Sequence, residues 1–508
     1  MDTEVRACEA KRTWQIVRRP KSAMVIPVKW VLKVKLNERG EEEKLKARIT
    51  PKGFMQTRGV DYFEIFAPTV RYKTIRIVMS LVAMWDLELH GMDAISAFLN
   101  AEVKEDVFIE IPEGYGVPDD PRGDYVLKLY KALYGIHQAP REWYLLVRDF
   151  IVNQLKFTQC TTDSCLFFKT SRTGQLMLLV MFVDDFQSAF HREDLDEWLQ
   201  LKKIFMAKFK ITDLGESTLM LGMRITRDRK LRTLVLDQEV YVEKMLEKFE
   251  MQSCKDIATP EAVGSEAETD EGEDASIDAK IYMQLVGALL YATLSTRPDI
   301  AHAVHQLTKH TQQPKQKHWI AAKRVLRYLR GTAGVALKFG AGESAVTSGG
   351  EEEMVVSGYS DADWANDIRD RKSVSGWVVK LNGDVVNWSC KKQQTTALST
   401  CEAELYAESA CVQEVLWLRH LLEEIGLRLR PQSVVWGDNQ STLQISEDGI
   451  IRERTKHVDI KHKFITENIE CNAIKVSYIR SEDQQADILT KALQKPIFVK
   501  HRESLMTR

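Results

Sequence analysis

Two adjacent carboxylates, Asp184 and Asp185, close the apolar run 176–183 and are followed at once by Phe186. An apolar stretch this short, broken by two acids and resumed by an aromatic, predicts a buried strand that turns sharply and returns as a hairpin. Neighbouring carboxylates repel, and leaving either one desolvated and unpaired costs on the order of several kcal/mol. A divalent cation such as Mg²⁺ removes the conflict, because it takes hard oxygen ligands, commonly one or two carboxylates plus waters and substrate phosphates. Asp-Asp is also ordinary in an exposed turn, and the dipeptide alone favours that plainer setting. The rest of the chain has to decide.

Stepping outward, 508 residues exceed a single core and predict two to four domains. The 44% hydrophobic and 28% charged fractions are ordinary for soluble globular protein. Lys+Arg 71 against Asp+Glu 73 gives a net charge of −2, which neither supports nor excludes a nucleic-acid partner. Eight scattered cysteines form no Cys/His set at zinc spacing, and the only close pair is Cys160 and Cys165, so reduced thiols of an intracellular protein are expected. The N-terminus has no apolar signal core and no stretch reaches the roughly 18 apolar residues of a membrane span. A cytosolic or nuclear protein, not secreted and with no membrane partner, is expected.

Residues 25–35 alternate basic with apolar side chains, 37–43 reads as a turn and 44–50 as the partner strand. Lys29, Lys33, Lys35, Lys46, Arg48 and Lys52 gather positive charge on that small sheet, which suits phosphate contacts and equally suits a solvated face. An amphipathic helix over 74–87 leads into a strand ending near Asp93, with Phe98 five positions on. A strand over 107–111, a loop over 112–123, and helices over 195–209 and 241–249 follow. The acidic, Gly/Ala/Ser-rich stretch 261–274 reads as a flexible linker, and 340–353 as a second loose boundary. Between them, Lys323, Arg324, Arg327 and Arg330 lie on or near one helical face, either a hybrid-binding surface or a solvated one.

Towards the C-terminus, acids fall at element junctions: Asp361 at the end of one strand, Asp438 at the end of another, and Asp487 expected to begin the final helix. Ser399 and Glu402 form a capping-box pattern that opens a helix carrying Glu404.

Five strings in order, Lys-Ala-Arg-Ile-Thr-Pro-Lys-Gly-Phe (46–54), Phe-Ala-Pro-Thr-Val-Arg (66–71), Met-Asp-Ala-Ile-Ser-Ala-Phe-Leu-Asn (92–100), Leu-Tyr-Gly-Ile-His-Gln-Ala-Pro-Arg-Glu-Trp-Tyr (133–144) and Phe-Val-Asp-Asp (182–185), resemble the reverse transcriptase of Ty1/copia-type retrotransposon polyproteins. The resemblance implies a right-hand polymerase of fingers, palm and thumb. It marks Asp93, Asp184 and Asp185 as metal-binding catalytic carboxylates and Phe98 as the ring beneath the incoming sugar. Lys46 and Arg48 become the fingers strand that meets the triphosphate, while Tyr134 and Gln138, with Gly135 and Pro140, become the loop supporting template and nucleotide. Phe182 stands where most relatives have Tyr, and Pro51 where they have Val-Ala, so an irregular strand edge is expected there.

The C-terminal order of strands, helix, strand and helix is similar to ribonuclease H, and that similarity implies Asp361, Glu404, Asp438 and Asp487 as carboxylates around two metal ions. Asp363 shares a strand face with Asp361 and Glu402 neighbours Glu404, so both are the near alternatives. His457 is expected to be structural or to contact hybrid.

The expected fold class is α+β / α/β multidomain. Reverse transcriptase occupies 1–258, an acidic linker 259–278, a connection region 279–340, a linker 341–353, a ribonuclease H-like α/β domain 354–493 and a tail 494–508. The implied activity is RNA-directed DNA synthesis with cleavage of the RNA strand of the hybrid, using two Mg²⁺ per site, with Mn²⁺ as a substitute. The implied partners are RNA template, DNA or tRNA primer, RNA–DNA hybrid and dNTPs, with integrase and capsid protein of the same element, in cytoplasmic virus-like particles or the nucleus. The other reading is a catalytically silent relic that only binds nucleic acid.

Overall fold

The computed structural model describes residues 1–21, 23–36, 42–116, 124–264, 277–340, 345–346, 352–367, 369–448 and 459–507. Its contacts divide into two units, Met1–Val70 with Leu89–Glu216, and Arg71–Glu88 with Ser217–Arg508.

The first unit is built on a six-stranded sheet in the order Ile211–Glu216, Glu88–Ala94, Asp185–Phe190, Leu176–Phe182, Leu166–Thr170, Thr158–Gln159. Five successive residues of Leu176–Phe182 are buried, as a strand covered on both faces requires. Helices Ala139–Asn153 and Leu195–Lys208 supply the apolar cover. Phe205 meets Phe150 and Phe186 edge-on with ring centroids 5.3 and 5.0 Å apart, which locks the helices against the sheet through favoured aromatic geometry.

The basic hairpin forms as Val28–Leu36 paired with Glu42–Pro51; the expected turn falls partly outside the described residues. The irregularity expected at Pro51 does not occur there. Pro51 is the last residue of its strand, opposite Val28, where a missing ladder donor matters least, and the register shift lies at the other end, between Lys35 and Leu36. The strand expected over 107–111 is only Phe108–Ile109, held between Tyr125–Leu129 and the parallel Val25–Ile26.

In the second unit a five-stranded sheet runs Asp384–Lys392, Val374–Leu381, Val356–Asp363, Ser433–Gly437, Ile474–Tyr478. The first three strands are antiparallel and the last two run parallel to Val356–Asp363. The 25-residue helix Thr400–Glu424 lies across it. Ser399 Oγ accepts from the Glu402 amide at 3.1 Å and Glu402 Oε2 accepts from the Leu398 amide at 2.7 Å, so the expected cap forms and occupies Glu402.

Helices Ala279–Ser295, Ala301–Thr308 and Gln316–Gly331 fill the expected connection region. Most of the acidic linker lies outside the described residues, but Glu261 at its start is anchored, its Oε2 2.7 Å from His302 Nδ1. Within the second boundary, Ala345–Val346 pairs with Glu352–Glu353. The expected tail is instead the helix Lys495–Leu505, which buries Phe498, His501 and Leu505, because the apolar spacing of Phe498 and Leu505 gives it an inner face. Asp487 does not begin that helix; it sits in the 3₁₀ turn Gln485–Leu489, eight residues earlier.

The helix Tyr72–Met84 belongs to this second unit although its sequence neighbours belong to the first. Arg76 is buried and donates to the carbonyls of Val386 at 2.8 Å, Leu294 at 2.8 Å and Ser295 at 2.9 Å, with its guanidinium 3.9 Å from the Trp388 ring centroid. Ser80 Oγ donates to Asp384 Oδ2 at 2.7 Å.

Candidate active sites

In the first unit the chemistry gathers at one hairpin. Phe182 pairs with Asp185, leaving Val183 and Asp184 as a two-residue turn, and Val183 adopts a φ of +56°. The left-handed region costs an L-residue about 1–2 kcal/mol, and a β-branched residue there is an outlier that neighbours must hold. Trp143, fully buried, does so by donating its indole N–H to the Val183 carbonyl at 2.7 Å. The Ala94 amide donates to the Asp184 carbonyl at 2.8 Å, which ties the strand end carrying Asp93 to the turn. Asp93, Asp184 and Asp185 are all half-buried at these adjoining ends. Among the described residues their carboxylates do not form a group within 4.8 Å of one another. Adjacent positions leaving a turn aim apart, so backbone proximity does not by itself converge the side chains.

The residues expected to meet nucleotide lie around Tyr134. Its ring stacks obliquely on Phe98 with centroids 4.3 Å apart, and the Arg48 guanidinium lies 4.1 Å from its centroid. Burial first, then the charge on Asp184, pushes the Tyr134 phenol up to about 12, with Asp93 adding to it and Arg48 opposing. Tyr134 is brought there by Gly135, whose φ of +114° and missing Cβ permit a close approach; a Cβ would stand 2.4 Å from the Pro51 carbonyl oxygen. Phe98 is 6% exposed, so its ring is also part of the core. Lys46 is exposed, and it and Arg48 share the field of Glu4, whose carboxyl burial raises and these two cations lower.

Gln138 departs from expectation. It is 1% exposed, donates to the Asp61 carbonyl at 2.9 Å and accepts from Gln56 at 3.0 Å. Its amide is consumed inside the fold, so it positions the loop and has no free group for substrate.

In the second unit Asp361, Asp438 and Asp487 each offer a carboxylate oxygen within 4.8 Å of the others. Desolvation and then Asp361 push the Asp487 carboxyl up to about 8, and its buried Oδ1 has no hydrogen-bond partner. Glu404 lies outside the three-acid group but beside it. Burial, then the charges of Asp361 and Asp438, hold its carboxyl well above the usual range, while the Ala362 amide donates to it. Crowded acids with an orphaned oxygen are the donor chemistry of a hard divalent cation, so these residues fit such an ion. Asp363 is not part of the group; it accepts from Asn366 Nδ2 at 2.6 Å. His457 lies outside the described residues.

Three residues escaped the sequence reading. Trp143 lay inside the string 133–144 without a role of its own. Thr490 donates to Asp361 Oδ2, and the Lys491 ammonium stands 3.0 Å from Asp487 Oδ2 and 3.7 Å from Asp361 Oδ2. The spacing of Lys491 four positions after Asp487 was the available signal.

Residues 11–263 match the family model described as reverse transcriptase (RNA-dependent DNA polymerase). The Pol polyprotein of transposon TNT 1-94 from Nicotiana tabacum is 36% identical over 503 residues, covering 98% of this chain and 37% of that polyprotein. The chain belongs to the reverse transcriptase family. The Pol polyprotein of transposon RE1 from Arabidopsis thaliana is 32% identical over 506 residues, 98% of this chain and 33% of its own length. The chain therefore spans about a third of the length of the curated relatives it matches. Among solved structures, a foamy viral protease–reverse transcriptase bound to double-stranded DNA has a TM-score of 0.50 at 12% identity, over 94% of this chain and 69% of that one, which shows a shared fold. The fold is thus that of a reverse transcriptase, to which the second unit adds a five-stranded mixed sheet crossed by the helix Thr400–Glu424. No described helix is long and apolar enough to cross a membrane.

Proposed function

We propose that the chain is an RNA-directed DNA polymerase whose second unit cleaves the RNA strand of the product hybrid, acting on RNA template, DNA or tRNA primer and dNTPs. The observation that carries this is the pair of acid sets: Asp93 with Asp184 and Asp185 at adjoining strand ends of the first unit, and in the second Asp361 of one strand, Asp438 just past another and Asp487 of a 3₁₀ turn, with Glu404 of the long helix beside them. Bound Mg²⁺, or Mn²⁺ in its place, would supply activation of the attacking oxygen and neutralisation of charge on the phosphate. The first set would hold it for primer extension and the second for hydrolysis. Around them the chain's own groups orient and neutralise. Arg48 offers a fixed cation beside Tyr134, suited to a triphosphate, and the obliquely stacked Phe98–Tyr134 rings offer an apolar wall suited to a sugar edge. Trp143 holds the turn that presents Asp184. Lys491 offers an ammonium to Asp361 and Asp487, balancing their charge.

The test is primer extension on an RNA template and cleavage of labelled hybrid, each with Mg²⁺ and with Mn²⁺. Asp184→Asn is expected to abolish extension and spare cleavage, and Asp361→Asn the reverse. Folded wild-type protein that binds hybrid as tightly as Asp184→Asn and turns over neither substrate would establish the silent-relic reading instead.

A further inference from the structure

The cavity between helices Ala301–Thr308 and Gln316–Gly331 takes no part in either acid set. Its volume is about 740 Å³, in the range of sites for small organic ligands, which run from roughly 300 to 1,000 Å³. Ala303 and Leu307 line it from one helix, Ala321 and Val325 from the other; four-residue spacing puts each pair on one helical face. Ile320 also lines it and is 60% exposed, an apolar side chain held in water at the mouth. The imidazoles of His310 and His318, both on the wall, stack with centroids 3.6 Å apart and planes 21° from parallel.

The polar lining is strongly one-signed. Lys309, Lys317, Lys323, Arg324, Arg327 and Arg369 face two acids, Glu261 and Asp367, leaving four positive charges in excess (six minus two). Both acids are already engaged. Asp367 Oδ2 accepts from Lys309 at 2.9 Å and from Lys392 at 2.6 Å, and Glu261 Oε2 lies 2.7 Å from His302 Nδ1. Arg324 donates from Nη2 to Thr259 Oγ1 at 3.0 Å, while its buried Nε has no hydrogen-bond partner. The guanidinium is thus held in place from behind, and the cationic rim as a whole would be balanced by an anionic group entering the cavity.

We infer that this cavity binds a single nucleoside phosphate unit, its base against the apolar lining and the histidine rings and its phosphate on the basic rim. Neither half of the site explains itself alone. An inorganic anion would leave the apolar lining and Ile320 in water, and an apolar ligand would leave the excess positive charge of the rim without a counter-charge. A base, planar and aromatic, joined to a phosphate, meets both demands. That chemistry belongs equally to a free nucleotide and to an unpaired nucleotide of a strand. The inference goes beyond the polymerase and nuclease reading and requires neither acid set.

The test is calorimetric titration of the full chain in EDTA, which withholds metal from both acid sets, using AMP, ribose 5-phosphate, inorganic phosphate and a short unstructured oligonucleotide as probes. AMP is expected to saturate one site at least tenfold more tightly than either base-free probe. Ala321→Trp, which fills the cavity from an exposed helix position, and Arg324→Gln are each expected to weaken AMP at least tenfold. Ala321→Trp should leave the thermal midpoint unchanged, so it carries the test if Arg324→Gln does not fold. Asp184→Asn and Asp361→Asn should bind AMP like wild type, so failure of the enzymatic reading and failure of this one are distinguishable. An oligonucleotide that outbinds AMP with the same sensitivity to Ala321→Trp identifies a strand as the source; the opposite order identifies the free nucleotide. No saturable binding, equal binding of AMP and phosphate, or AMP binding untouched by Ala321→Trp would each overturn the assignment.

Discussion

At the scale of single residues, the most consequential contact is one no local pattern announces. The indole of Trp143 donates to a carbonyl forty residues away, on a valine held at φ +56°, and so fixes the turn that carries Asp184. Trp143→Phe keeps most of the ring volume and removes the donor. It is expected to cost about 1–3 kcal/mol in chemical denaturation, the range for a buried acceptor left unsatisfied. Misplacing a reacting group by about 1 Å costs roughly a hundredfold, so extension should fall further than stability does while hybrid cleavage is unchanged. A second residue bears on pH. Glu408 is fully buried one turn beyond Glu404, with Ser446 Oγ donating to it at 3.2 Å; burial raises its carboxyl to about 8, and Glu447 adds to the shift. In the unfolded chain the group ionises near 4.5. Below that value both states hold the proton and stability is full. Between about 4.5 and 8 only the folded state holds it, so stability falls as pH rises, by at most about 5 kcal/mol at the linkage rate of 1.36 kcal/mol per pH unit. Glu408→Gln should flatten this part of the profile and raise the thermal midpoint at pH 9 relative to wild type. Equal midpoints at pH 9 would refute it.

Among elements, those with a local signature were legible and those placed by distant partners were not. The apolar run ending at Asp184, the strand carrying Asp361 and the capped helix carrying Glu404 announce themselves through period, length and cap chemistry, all short-range. The position of Asp487 in a 3₁₀ turn did not, because a single turn has too few residues to show a period. The core role of Gln138 was hidden for a related reason: an amide reads as a surface group until its partners Gln56 and Asp61 are known. The helix Tyr72–Met84 shows the limit most clearly. Its amphipathic pattern predicted a helix, but its partners lie more than 200 residues on. Arg76→Met tests how much that anchoring contributes. It removes the donor to three carbonyls at once, and against the relief of a buried cation held by carbonyls the net loss should be about 2–4 kcal/mol in urea denaturation. Arg76→Lys, which cannot span three acceptors in one plane, should recover only part of it.

For the whole molecule, this anchoring means that the chain does not divide where its motifs do. The motifs place a polymerase within 1–258, yet the helix Tyr72–Met84 buries eleven of its thirteen residues and folds with Ser217–Arg508. Val386, Asp384 and Leu294, which receive Arg76 and Ser80, all lie beyond residue 258. A fragment 1–258 would keep every acid of the first set and lose part of the surface that covers this helix, the strand Asp384–Lys392 included. Ile75, Ile77, Val78, Leu81 and Val82, each no more than 2% exposed in the full chain, would then lose part of their cover. At about 1.5–3 kcal/mol per fully buried aliphatic side chain, uncovering even two of the five is comparable to the net stability of a small domain. The fragment should therefore bind ANS, aggregate on heating and unfold over a broad denaturant range, whereas the full chain should show neither the dye binding nor the early transition. Cooperative unfolding of 1–258 at the full chain's denaturant midpoint would show that the helix needs no partner beyond residue 258, and the sequence boundary near 258 would then be the physical one.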